Sequence, residues 1–218
     1  NLSIGGSGLR LRFRFIPQKS RRAVARYSVA DILIALGAGM VIPLMPGWSL
    51  LRFGVTDDVS APILGGVNSL VMGFANLATP RLARRFGTVK TIVLTQASST
   101  IFLFSIPFSP NFPIASSLFV VRSTLMMMSM PTEQSLLMGL VAEDERSTAS
   151  AITAALWRLP NSFSTAVGAY LMGLGGFYLS APFFLCAALY LCSISYFWFA
   201  FKDVRLPEEK VIAPIAVS

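Results

Sequence analysis

Residues 181–201 read APFFLCAALYLCSISYFWFAF, and Lys202 follows directly. No charged side chain interrupts this run, and it is long enough for a helix to cross a bilayer core, which takes about 20 mainly apolar residues. Lipid offers the backbone no hydrogen-bond partners, so a spanning segment must be a helix or part of a closed barrel. Barrel strands alternate in polarity over about ten residues, and this run does not. Working back from it, further apolar runs cover 148–174, 114–140, 89–108, 60–78 and 23–51. The reading is an all-α membrane protein with six transmembrane helices.

The polar residues between the runs agree with this. Only 13% of the chain is charged and 54% is hydrophobic, against about 25% charged in an ordinary soluble domain. The formal net charge of +8 raises the question of nucleic acid, but a nucleic-acid protein displays its cations on a wettable surface. Here they punctuate apolar segments, so no nucleic-acid partner is expected. Arg10, Arg12, Arg14, Lys19, Arg21, Arg22 and Arg26 lead into the first run. Arg81, Arg84, Arg85 and Lys90 separate the second and third, Arg146 the fourth and fifth, and Lys202, Arg205 and Lys210 follow the sixth. The gaps of the other parity carry only Arg52. Basic residues favour the cytoplasmic side of short loops, which places both ends of this segment in the cytoplasm and gives the basic start a second use against anionic lipid headgroups.

Several chemistries are excluded by what is missing. The chain has no histidine, and no glycine-rich phosphate loop is followed by Lys-Ser or Lys-Thr. No cofactor, no metal and no enzymatic activity are expected. Cys186 and Cys192 lie six residues apart on one run, about 9 Å along a helix axis and about 120° out of alignment, too far for a bridge. They read as packing or lipid-facing residues. The chain opens at Asn1 rather than at a methionine and is expected to be a piece of something longer. Residues 1–22 read as a cytoplasmic linker or basic tether, 23–201 as the transmembrane domain and 202–218 as a cytoplasmic tail. The acid-free, arginine-rich start also imitates an organellar transit peptide, although orientation of the first span already accounts for its charge.

The gap between the second and third runs reads Pro80-Arg81-Leu82-Ala83-Arg84-Arg85-Phe86-Gly87-Thr88-Val89-Lys90. It resembles the second-half copy of the short cytoplasmic-loop motif of the major facilitator superfamily. Arg85, Gly87 and Lys90 match; Pro80 stands where the motif begins with glycine, and Arg84 where it has aspartate. Further on, Pro131-Thr132-Glu133 near the end of the fourth run, the turn Glu143-Asp144-Glu145-Arg146, and a fifth run with Pro160, Gly168 and Gly173 are similar to the last third of drug-efflux facilitators. The resemblance implies the carboxy-terminal half of a twelve-helix bundle, built as two inverted three-helix repeats. It also implies an amino-terminal six-helix half as partner, a small-molecule solute, protons as coupling ion, and the cell membrane as location. The first and fourth spans would line the cavity, while the third and sixth would be peripheral. The eight aromatic residues of the sixth run suit a lipid-facing coat. Arg81, Arg84, Arg85, Gly87, Lys90 and Arg146 are the candidate gating-loop residues.

Four charged residues lie inside apolar runs, where an ionised group costs at least about 2.5 kcal/mol on insertion scales and is a functional candidate by default. Arg122 and Glu133 are eleven residues apart, which brings them to within about 20° of one helix face but about 16 Å apart along it. Arg122 reads as a substrate-anion or counter-charge site and Glu133 as a proton carrier, against a structural ion pair with a neighbouring helix. Arg158 lies at mid-depth in the fifth run, facing the cavity or pairing with Glu133 or the missing half. Asp31 reads as a residue of the cytoplasmic boundary, a partner of the helix dipole or of basic loop residues. Pro131 and Pro160 each free a carbonyl one turn earlier, and Gly37 and Gly39 permit close helix contact. All four are candidate pivots. The Met126–Met128 run with Met130 suits an adaptable apolar wall or plain packing.

The function expected is secondary active transport of a small solute by alternating access, proton-coupled and of the efflux type. The alternatives are a self-contained six-span carrier or channel acting as a dimer, and a membrane-embedded assembly factor or enzyme.

Overall fold

A computed structural model describes residues 20–71, 73 and 86–202. Among the described residues every regular element is helical. The first run forms α1 (Arg21–Val41), a single 3-10 turn at Ile42–Leu44 where Pro43 interrupts the ladder, and α2 (Met45–Phe53). Gly54, at a φ of 69°, ends it. The second run opens with α3 (Asp57–Ala61) and continues through a π-helical turn at Pro62–Val67; its later part lies outside the described residues. Then come α4 (Thr88–Ser105), α5 (Phe112–Leu140), α6 (Arg146–Gly173) and α7 (Ala181–Phe201).

Arg21–Phe53, Thr88–Phe108, Phe112–Leu140 and Ala181–Phe201 are long and apolar enough to cross a membrane. The helix α6 is equally long but more polar, and it is not among these four. The local start and stop signals are ordinary ones. The Asn111 side chain accepts a hydrogen bond from the Ile114 amide at the start of α5, and Pro113 occupies the first turn, where its missing N–H costs nothing.

α1 lies along α6 and α7, while α4 lies along α5 and α7. Small residues set the α1–α6 approach. A β-carbon on Gly39 would overlap the Asn161 carbonyl and the Ser164 hydroxyl, and one on Gly168 would sit 2.5 Å from the Met40 carbonyl oxygen. The Asn161 side chain donates across the same interface to the Ala35 carbonyl at 3.2 Å, and Ser193 of α7 donates to the Ala30 carbonyl at 2.8 Å. Two apolar cores result, one around Trp48, Phe119, Phe183 and Tyr190 and the other around Tyr27, Ile92, Leu137 and Phe197.

One expectation about α7 changes in part here. Of its eight aromatic residues, Phe183, Tyr190, Phe197 and Phe201 are buried in the bundle, while Phe184, Tyr196 and Trp198 are half-buried and Phe199 faces outward. A helix that packs on two neighbours buries more than one stripe. The cysteines follow the same division, with Cys186 buried and Cys192 exposed.

Candidate functional site: a charged cavity between α1, α5 and α6

A cavity of about 230 Å³ opens between α1, α5 and α6. Its walls carry Tyr27, Asp31 and Ile34 from α1, Met126, Met127, Met130 and Glu133 from α5, and Thr153, Trp157 and Arg158 from α6, with Tyr190 of α7 closing the deep end. Each helix contributes residues at helical spacing: Tyr27, Asp31, Ile34 and Ala38 on one stripe, and Ser150, Thr153, Ala154 and Trp157 on another. Asp31, Glu133 and Arg158 thus line one space.

Glu133 is half-buried and held by a specific partner, since the Gln96 Nε2 amide of α4 donates to its Oε1 at 2.6 Å. The same amide lies 3.5 Å from the Ser129 hydroxyl. Gln96 is buried and does not line the cavity, so it reaches Glu133 from behind the wall. Arg158 is exposed at the cavity edge, and among the described residues no carboxylate forms an ion pair with it.

Asp31 does not sit at the helix boundary. Because α1 already begins at Arg21, Asp31 lies ten residues in, about 15 Å along the axis, beyond the reach of the helix-end dipole. It is half-buried and turned into the cavity.

Arg122 is placed differently from Glu133 although both belong to α5. It is only 1% exposed and is not part of the cavity wall. Its Nη2 donates to the Tyr190 hydroxyl at 2.5 Å, its guanidinium stands 5.4 Å from the centre of that ring, and its Nε has no partner. The Ser99 hydroxyl of α4 donates to its backbone carbonyl at 2.9 Å. Tyr190 therefore separates Arg122 from the cavity, and Gly37 makes room for the ring: a β-carbon there would lie 2.9 Å from its Cε1.

Pro131 and Pro160 both lie inside continuous helices. Pro131 removes the intrahelical partner of the Met127 carbonyl, and Met127 is itself a cavity residue. Of the loop candidates, Arg81, Arg84 and Arg85 lie outside the described residues. Gly87 is the residue before α4 and has a φ of 85°, a backbone conformation that a side chain resists, which gives the motif's glycine a physical reason. Lys90 is exposed on the first turn of α4. Arg146 donates from Nε to the Met138 carbonyl at 3.2 Å and pairs loosely with Glu143 at 3.8 Å.

Reading charged residues alone misses Gln96, Tyr27, Trp157 and Tyr190. A signal for Gln96 was present: Thr91, Thr95, Gln96, Ser99 and Thr100 form a polar stripe at helical spacing in an otherwise apolar run, and all five are buried.

Apolar helices of spanning length folded around a cavity with three charged residues define a multi-pass membrane transport domain. The family model of the Major Facilitator Superfamily matches residues 26–216, and the chain belongs to that superfamily. Its members are transporters rather than enzymes, so this is an integral, multi-pass membrane transporter of small solutes. No curated protein and no solved structure matches the chain.

Proposed function

We propose that the cavity between α1, α5 and α6 is the solute site of a proton-coupled secondary transporter, and that this chain supplies six spans that rock against a second six-helix half. Asp31 and Arg158 contact the solute, and Glu133 carries the coupling proton. The observation behind this reading is the convergence of Asp31, Glu133 and Arg158 on one space from three helices. Charged groups within a membrane are retained where they meet a partner, a solute or a proton path. Met126, Met127 and Met130 give the wall a surface that adapts to apolar bodies of different shape.

The packing pattern supports two inverted repeats. α1, at the head of the first triplet, lies on α6 and α7, as α5, at the head of the second, lies on α4 and on the turn at Pro62–Val67. The loop motif around Gly87 and the order of acidic turn and small-residue helix favour efflux, with both ends of this segment in the cytoplasm of the cell membrane's inner side. Arg81, Arg84, Arg85, Lys90 and Arg146 are then the basic residues of the gating loops.

A thermal-shift screen of the full-length protein across anionic, cationic, zwitterionic and neutral solutes tests the site. A stabilising solute is expected, with its shift lost in both Asp31→Asn and Arg158→Gln. A shift of full size in both variants would reject the cavity as the binding site.

A further inference from the structure

We propose that Gln96 is the positioning residue of Glu133, a two-way hydrogen-bond partner that serves the carboxylate and the protonated acid in turn and ties the protonation state of the cavity to α4. The inference rests on the reading of Glu133 as the coupling group.

The geometry is specific. Gln96 is 2% exposed and its Nε2 lies 2.6 Å from Glu133 Oε1. It comes from α4, which among the described residues contributes nothing to the cavity wall. A buried amide on such a helix costs free energy unless it is paired, and pairing with another apolar-facing group would have been simpler. Its partner is instead the half-buried carboxylate of the cavity. A primary amide has both a donor and an acceptor end. With Glu133 ionised, Nε2 donates to the carboxylate, the arrangement in the structure. With Glu133 protonated, the amide turned about its last torsion presents Oε1, which accepts the carboxyl O–H. One side chain thus offers Glu133 a hydrogen-bond partner in both states.

Around Glu133, Tyr27 and Asp31 line the cavity from α1 and Arg158 from α6, and the Ser129 hydroxyl on its own helix donates to the Met126 carbonyl at 2.8 Å, whereas Gln96 reaches it from another helix. The Gln96 amide also touches two consecutive layers of α5, lying 3.5 Å from the Ser129 hydroxyl. Along α4 it sits nine residues from Gly87, about 13 Å, so the helix it belongs to is the one that the loop motif leads into. A change of amide orientation therefore links α4 to the cavity-wall residues Ser129 and Glu133.

The test is an infrared pH titration of the full-length protein in lipid, following the carbonyl band of protonated carboxyl groups. The difference between wild type and Glu133→Gln isolates the Glu133 band. Its frequency in the wild type should be that of a hydrogen-bonded acid, a measurement that needs no change at position 96. In Gln96→Met, which keeps the volume and removes both hydrogen-bonding ends, the band should move to the frequency of a free acid. The titration midpoint should rise by at least about half a pH unit, since the charge-assisted bond lost by the ionised form is stronger than the bond lost by the acid. A titration unchanged in Glu133→Gln would overturn the coupling reading and this inference with it. A Glu133 band already at the free-acid frequency in the wild type, or one whose frequency and midpoint stay put in Gln96→Met, would overturn the role of Gln96 alone.

Discussion

Glu133 and Arg122 share a helix and almost a face, yet their surroundings have little in common. Glu133 opens to the cavity, stands near a second carboxylate and an arginine, and is held by an amide from behind. Arg122 is sealed, with a tyrosine hydroxyl and ring as its partners. An ionisable group that can change state needs access to water or solute, whereas a permanently charged guanidinium inside a membrane needs to be kept in place. On the proposed reading, function lies at the open end of α5 and anchoring at the closed end.

The largest effect expected on this contrast comes from Tyr190→Leu. It leaves a buried cation without its hydroxyl and ring partner, a loss larger than that of one hydrogen bond to a charged group, about 1.5–3 kcal/mol, so yield and thermal stability should collapse while Glu133 is untouched. Near-normal thermal unfolding of Tyr190→Leu would mean that Arg122 finds water or another partner, and the contrast would fail.

Tyr190→Phe is milder because the ring stays over the guanidinium. Losing one hydrogen bond to a charged group costs about 1.5–3 kcal/mol, and most of that should return in the double variant Arg122→Leu with Tyr190→Phe, where neither group is left unsatisfied. If the double variant is no better than the sum of the singles, the two residues do not act as a pair.

At the open end the pattern reverses. Asp31→Asn should shift thermal unfolding by no more than about 0.5 kcal/mol, as for a substitution without a buried partner, yet remove the stabilisation that the solute confers. A large loss of stability without solute would move Asp31 to the anchoring class. The smallest effect expected is that of Ser193→Ala, which removes the bond from α7 to the Ala30 carbonyl. Interhelical hydrogen bonds in membranes average about 0.6 kcal/mol, and a loss well above that would make this contact a hinge of the α1–α7 interface.

Much of the architecture could be read from residue order. The run at 181–201 coincides with α7, and the fourth and fifth runs differ from α5 and α6 by two residues or fewer at each end, because apolar length and flanking Gly, Pro and Asn specify a long helix strongly, although α6 is more polar than the four spans of membrane-crossing character. The site was legible only in part. Glu133 and Arg158 stood out as charges in apolar runs and both reach the cavity. Arg122 stood out equally and does not, since whether a helix face meets a cavity or a neighbour depends on tertiary packing that the angle along one helix cannot give. Asp31 was read as a boundary residue or helix-dipole partner, and its place ten residues into α1 on the cavity wall depends on packing that its sequence position does not show. Tyr190 was read as lipid-facing because aromatic composition does not say which stripe of α7 meets α1.

The central claim is that the open end of α5 couples protons to solute. It is tested most directly by reconstituting the full-length protein in proteoliposomes with the solute identified by thermal shift, and comparing accumulation driven by a pH gradient with exchange at equal solute concentrations. In Glu133→Gln, gradient-driven accumulation should fall to the level of empty liposomes while exchange continues near the wild-type rate. Accumulation that persists and still responds to pH in Glu133→Gln would contradict the account.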